Sequence, residues 1–107
     1  VTGEDQLAAR LSHHGVNVRR IAALDALALD DLDHSLVRRL ATWACHDPDA
    51  RVRVLLARAV EKHAPGHHRA RDLMPMLDAA VQTNPEPLSR HAQLLARDAI
   101  EASLVRE

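Results

Sequence analysis

Twice in this chain an acceptor side chain, a proline and an acid follow one another, and an arginine stands six residues after the first of them. The two copies are Asp47-Pro48-Asp49 with Arg53, and Asn84-Pro85-Glu86 with Arg90, 37 residues further on. Arg19 lies 34 residues before Arg53 and follows Val18 as Arg53 follows Val52; six before Arg19, His13 takes the acceptor's place. A period of 34 to 37 residues is the mark of a helical array, in which no unit can bury its apolar face alone and its neighbours supply the cover. An acceptor followed by proline is also a helix start. The side chain takes up an orphan amide of the first turn, and proline lacks only an amide that has no partner there. The spacing therefore predicts Asp47 and Asn84 as caps of helices that begin at Pro48 and Pro85, with Asp49 and Glu86 favoured by the positive end of the helix dipole.

The segments leading into these turns are amphipathic at helical spacing. "HSLVRRLATWAC" carries Leu36, Val37, Leu40, Trp43 and Ala44, and "DLMPMLDAAV" carries Leu73, Met74, Leu77, Ala80 and Val81 at the same offsets. Such spacing lays one apolar stripe along a helix. Asp5 to Leu11 forms a shorter first member. Each unit is then helix, turn, helix, over approximately 4–30, 33–63 and 69–104, joined by the turn-like connectors "ALDDLD" and "HAPGHH". Asp33 is placed to cap the helix after it. Asp72 is placed to cap a helix in whose first turn Pro75 removes no hydrogen bond; otherwise Pro75 kinks that helix. Residue usage agrees, since Trp43 is the sole aromatic, Phe and Tyr are absent, and Ala, Leu and Arg favour helices over strands. The expected fold class is all-α, a single domain spanning residues 1–107.

A formal net charge of −1 argues against a chain whose task is to coat nucleic acid. Cys45 stands alone, which leaves no disulfide framework and no multi-cysteine metal site. No segment has the apolar length of a membrane span and no signal peptide is recognisable, so a cytoplasmic protein without membrane contact is expected.

The stretch "WACHDPDARVRVLLARAV", with "HHGVNVRRIAALDAL" and "TNPEPLSRHAQLLARDAI", resembles the HEAT-repeat family. There a first helix leads into a turn bearing Asp, and a Val-Arg pair precedes an Ala-rich second helix. His13 replaces the acid in the first unit and Ser89 replaces the valine in the third. The resemblance implies a short right-handed α-solenoid of about three helix-turn-helix repeats and a habit of protein–protein scaffolding.

In such an array Arg19, Arg53 and Arg90, with Asp47 and Asn84, form a structural ladder, each arginine bonding a turn of its own or the adjacent unit. On the second helices, Val52, Leu55, Leu56, Ala59 and Val60 are expected to pack inward, as are Leu88, Ala92, Leu95, Ala96 and Ala99. That leaves Arg20, Leu24, Val54, Arg58, Leu94 and Arg97 as a partner-binding face, aliphatic residues interleaved with arginine, which suits another protein or domain more than nucleic acid. The first unit is apolar almost all round, so a second copy meeting it through the N-terminal repeat is a further expected partner. The alternative function is nucleic-acid binding through Arg19-Arg20, Arg38-Arg39 and Arg51-Arg53. His63, His67 and His68 lack a metal-ligand spacing and read as a solvated turn. Cys45, among apolar neighbours, reads as an inert small hydrophobe. No phosphate loop, His-Glu metal motif or nucleophile constellation is present; no enzyme activity, cofactor, metal or catalytic residue is expected.

Overall fold

A computed structural model describes residues 3–105. The helices are α1 (Gly3–Leu11), α2 (Val16–Ala28), α3 (His34–His46), α4 (Ala50–His63), α5 (Met74–Thr83) and α6 (Pro87–Val105), with a 3-10 turn at Ala70–Leu73 before α5. The fold is all-helical, with no strand among the described residues. None of these helices is long and apolar enough to cross a membrane.

Each odd-numbered helix packs on the helix that follows it: α1 on α2, α3 on α4, α5 on α6. Each helix also packs on the one two places along, so α1, α3 and α5 make one layer and α2, α4 and α6 the other. The molecule measures 36 × 32 × 18 Å, and its shortest dimension is close to two helix diameters. Between the layers lies a continuous apolar core. Leu7, Leu11, Leu36, Leu40, Leu56, Leu73, Leu77 and Ile100 supply the volume, and Ala22, Ala23, Ala26, Ala44, Ala57, Ala59 and Ala96 let the helix axes approach. Each fully buried leucine contributes about 1.5–3 kcal/mol by leaving water.

The three turns that lead into α2, α4 and α6 repeat one hydrogen bond. His13 Nδ1 accepts the Gly15 amide at 2.9 Å, Asp47 Oδ1 accepts that of Asp49 at 2.9 Å, and Asn84 Oδ1 accepts that of Glu86 at 3.1 Å. The offsets of 34 and 37 residues are thus present as geometry. The capping expectation needs correcting, because the helices start two residues later than the first acceptor implies. Asp49 caps α4, accepting the amides of Arg51 and Val52 at 2.9 and 3.2 Å, and Glu86 caps α6, accepting those of Leu88 and Ser89 at 2.8 and 2.9 Å. Pro48 and Pro85 lie in the turns, and Pro87 opens α6. The Arg51 guanidinium, then the first-turn amides, hold the Asp49 carboxyl below its ordinary range; the Ser89 and Leu88 amides do so for Glu86.

Asp33 caps α3 as expected, accepting the Leu36 amide at 2.9 Å. Pro75 lies in the first turn of α5, but Asp72 does not cap it; its carboxylate pairs with Arg69 at 3.3 Å. Gly66, with φ of +90°, makes the bend between α4 and the 3-10 turn that L side chains resist.

The expected inward face of α4 holds for Val52, Leu56, Ala59 and Val60, with Ala57 in addition, and Leu55 is half-buried. In α6 the register differs. Ala92 and Ala96 pack, but Leu88 and Leu95 are 73% and 44% exposed, while Ser89, Gln93 and Ile100 are buried. Polarity did not keep Ser89 and Gln93 outside because both are satisfied. Asn84 Nδ2 donates to Ser89 Oγ at 2.8 Å and to Gln93 Oε1 at 3.1 Å, and Gln93 Nε2 donates to the Ala44 carbonyl at 2.9 Å.

Candidate functional site

The ladder arginines act between units at two of their three positions. Arg19 is buried on α2. Its Nε and NH2 donate to the buried Asp47 carboxylate of the next turn at 2.8 and 3.3 Å, and its NH1 donates to the His13 and His14 carbonyls of its own turn at 3.0 Å each. Arg53 repeats this from α4, bonding the Asp47 carbonyl at 2.8 Å and Ser89 Oγ at 3.4 Å. Arg90 is exposed, and its guanidinium makes no hydrogen bond or ion pair to the described residues. An arginine suits this place because its planar fork serves a carboxylate and two carbonyls at once.

The turn register also aligns the outward residues of the second helices. Leu24, Arg58 and Leu95 are equivalent and all exposed; Arg20, Val54 and His91 form the adjacent line, with Val54 half-buried between its neighbours. Leu94 and Arg97 instead align with Ala57 and Val60, which are buried in α4. Arg97 is further occupied: its Nε bonds Asp78 at 2.8 Å, and its NH1 bonds Asp98 at 3.2 Å and also Glu101. Asp78 first, and then Asp98, hold its guanidinium still more firmly in the charged form. Arg20 and Arg58 make no side-chain hydrogen bond or ion pair to the described residues.

Of the six arginines proposed for nucleic acid, Arg19 and Arg53 are therefore committed to the turns, and Arg51 pairs with Asp49 at 3.3 Å. Arg20, Arg38 and Arg39 remain exposed.

The histidine turn is less solvated than its sequence suggests. His63 is buried and its Nε2 is 2.7 Å from the Ala26 carbonyl, tethering α4 to α2, while His67 Nε2 is 3.1 Å from the Leu32 carbonyl and joins the two connectors, both rings acting as Nε2–H donors. Sequence reasoning also missed His34. Its ring nitrogens are shielded from solvent with no hydrogen-bond partner among the described residues, and its ring centroid is 5.9 and 6.1 Å from those of His67 and His68. Desolvation, then the Arg69 charge and the two histidines, push its pKa below the ordinary value, against a weaker pull from Asp72. Among the described residues no three His, Cys, Asp or Glu side chains converge as metal ligands. Cys45 is half-buried, and burial pushes its thiol up to about 11.

No protein-family model, no curated protein and no solved structure matches this chain.

Proposed function

We propose that this protein is a non-catalytic interaction scaffold, a three-unit α-solenoid of the HEAT type that binds another protein through its second helices. The pairing of α1 to α6 in two layers, with the turn hydrogen bond recurring in each unit, supports the stacked arrangement. The observation that carries the function is the in-register exposure of Leu24, Arg58 and Leu95 beside Arg20, Val54 and His91. A preformed helical surface spares the backbone part of the ordering cost on binding, leaving that of the side chains. Leucines give apolar contact, and Arg20 and Arg58, without hydrogen-bond or ion-pair partners among the described residues, select acidic or polar groups.

The test is the double variant Arg20→Glu with Arg58→Glu. Both sites are exposed, so thermal unfolding should match the parent, whereas a protein captured from lysate by the parent after nuclease treatment should be lost. Equal recovery of that protein by the variant would take this face out of consideration. Nucleic-acid binding, the second reading, rests on Arg20, Arg38 and Arg39; it requires affinity for DNA or RNA that falls steeply with salt, and no binding at low salt would end it.

A further inference from the structure

The turns that precede α2, α4 and α6 are tied into one row. Arg19 bonds the His13 and His14 carbonyls and the Asp47 carboxylate, Arg53 bonds the Asp47 carbonyl and Ser89 Oγ, and Asn84 Nδ2 donates to the same Oγ. The three second helices therefore start along one edge of the molecule and run side by side away from it. Charge divides along that direction. Residues 13–24, 47–58 and 84–95, the same span of each unit in the register of the turns, hold six arginines against three acids. Residues 25–33, 59–73 and 96–105 hold eight acids against four cations. The three acids of the turn side are also engaged within the chain, Asp47 by Arg19 and Asp49 and Glu86 by first-turn amides. Arg20 and Arg58 are exposed and have no hydrogen-bond or ion-pair partner among the described residues. On the far side Asp30 and Asp31 are exposed, and Arg97 is enclosed by Asp78, Asp98 and Glu101.

Taking the second-helix face as the binding surface proposed above, we infer that its partner is a short acidic protein segment, bound in extended form across the turn-side half of α2, α4 and α6. Helix axes in contact lie about 8–10 Å apart. Arg58 lies four residues beyond Val54, the register equivalent of Arg20, and so about 6 Å further along its helix. The two arginines thus stand roughly 10–12 Å apart at the backbone, which an extended chain spans with about three residues. Acids three residues apart meet both guanidinium groups, and Leu24, Val54 and Leu95 receive the apolar side chains that lie beside them. Nucleic acid fits this surface less well. No Phe, Tyr or Trp lies on α2, α4 or α6 for bases to stack on, since Trp43 belongs to α3. The acids of the far half repel any polyanion too long to stay within the basic half.

Fluorescence anisotropy on the whole chain tests this with a labelled (Glu-Leu-Ser)4 peptide, which sets a carboxylate at every third residue. The peptide should bind at low salt, with an affinity that falls as salt rises. The matched (Lys-Leu-Ser)4 and (Ser-Leu-Ser)4 peptides should bind at least about tenfold more weakly. Arg20→Glu with Arg58→Glu should lower affinity for the acidic peptide at least about tenfold, with circular dichroism and melting curve matching the parent. Arg38→Glu with Arg39→Glu, on α3 in the other layer, should lower it by much less. Failure of the acidic peptide to bind, equal binding of the lysine peptide, or an equal loss from both double variants overturns the inference. So does tighter binding of a (dT)12 oligonucleotide, which would assign the basic half to nucleic acid. A protein captured by the parent and lost with Arg20→Glu and Arg58→Glu, alongside no binding of (Glu-Leu-Ser)4, overturns the acidic segment and leaves the binding face standing.

Discussion

Replacing Asp47 by alanine should be among the most damaging single changes in the chain. Asp47 is 1% exposed and faces Arg19, itself 7% exposed, through two hydrogen bonds, and it also holds the Asp49 amide that sets up the cap of α4. Removing it leaves a buried guanidinium supported only by the His13 and His14 carbonyls. Breaking a buried ion pair from one side costs about 3–5 kcal/mol, because a charge stays out of water without its counter-ion. A domain of this size has a total stability of roughly 5–15 kcal/mol, so a large share of it is at stake. The same loss lowers the melting temperature by more than about 10 °C, at roughly 4–8 °C per kcal/mol. A graded control is built into the chain, since Asn84 performs the turn bond in the third unit with an amide oxygen. Asp47→Asn keeps that bond but replaces Oδ2, the acceptor of Arg19 Nε, by an NH2 donor, so it loses the charge and one hydrogen bond and should cost about 1.5–3 kcal/mol, the range for hydrogen bonds to charged groups. Urea unfolding followed by helical circular dichroism, at constant m value, gives both numbers. The double change Arg19→Ala with Asp47→Ala should destabilise by less than the sum of its parts. A cost for Asp47→Ala below about 1 kcal/mol, or one equal to that of Asp47→Asn, would refute the claim that this pair joins the first two units.

Acid should weaken the fold through His34. Its folded pKa lies below the ordinary 6.5, so in the interval beneath 6.5 the unfolded chain binds a proton that the folded chain refuses, and stability falls as pH falls through that interval. The urea midpoint should therefore drop between about pH 7.5 and 5.5, less so in His34→Leu; parallel profiles for the two proteins would show that His67, His68 and Arg69 do not act through this ring. Cys45, with its thiol near 11, should be alkylated at pH 8 orders of magnitude more slowly in the native chain than in urea, and equal rates would contradict its burial. Gln93→Leu leaves Asn84 Nδ2 with one acceptor fewer and the Ala44 carbonyl without its side-chain donor, and it should cost about 1–3 kcal/mol by thermal unfolding; a neutral outcome would mean that leucine fills the site as well as the network does.

The turns that follow α3 and α5 were legible because they are written locally. Asp47-Pro48-Asp49 and Asn84-Pro85-Glu86 interrupt helices whatever surrounds them, and Leu36, Val37, Leu40 and Ala44 fall on one stripe by the geometry of the helix alone. What was misread depends on distant partners. Asp47 and Asp49 are both short carboxylates beside a proline, and nothing within a few residues shows that the first would meet Arg19, 28 positions away, and leave the cap to the second. In α6 the apolar residues Leu88 and Leu95 looked like core, yet Asn84 and Ala44 satisfy Ser89 and Gln93 and draw a different face inward. His63 and His67 looked like a wet turn for the same reason, their carbonyl acceptors being more than thirty residues earlier in the chain.

The sequence by itself determined the helical class and places where the helices are interrupted, because propensity, proline and 3.6-residue periodicity act over a few residues. Tertiary structure alone decided which acid is buried, which polar residues enter the core, and that Arg90, Leu94 and Ile21 stay open while their equivalents are covered. Burial is conferred by whatever packs alongside, and here that is a helix distant in the chain, as Ala26 is from His63 and Ala44 from Gln93.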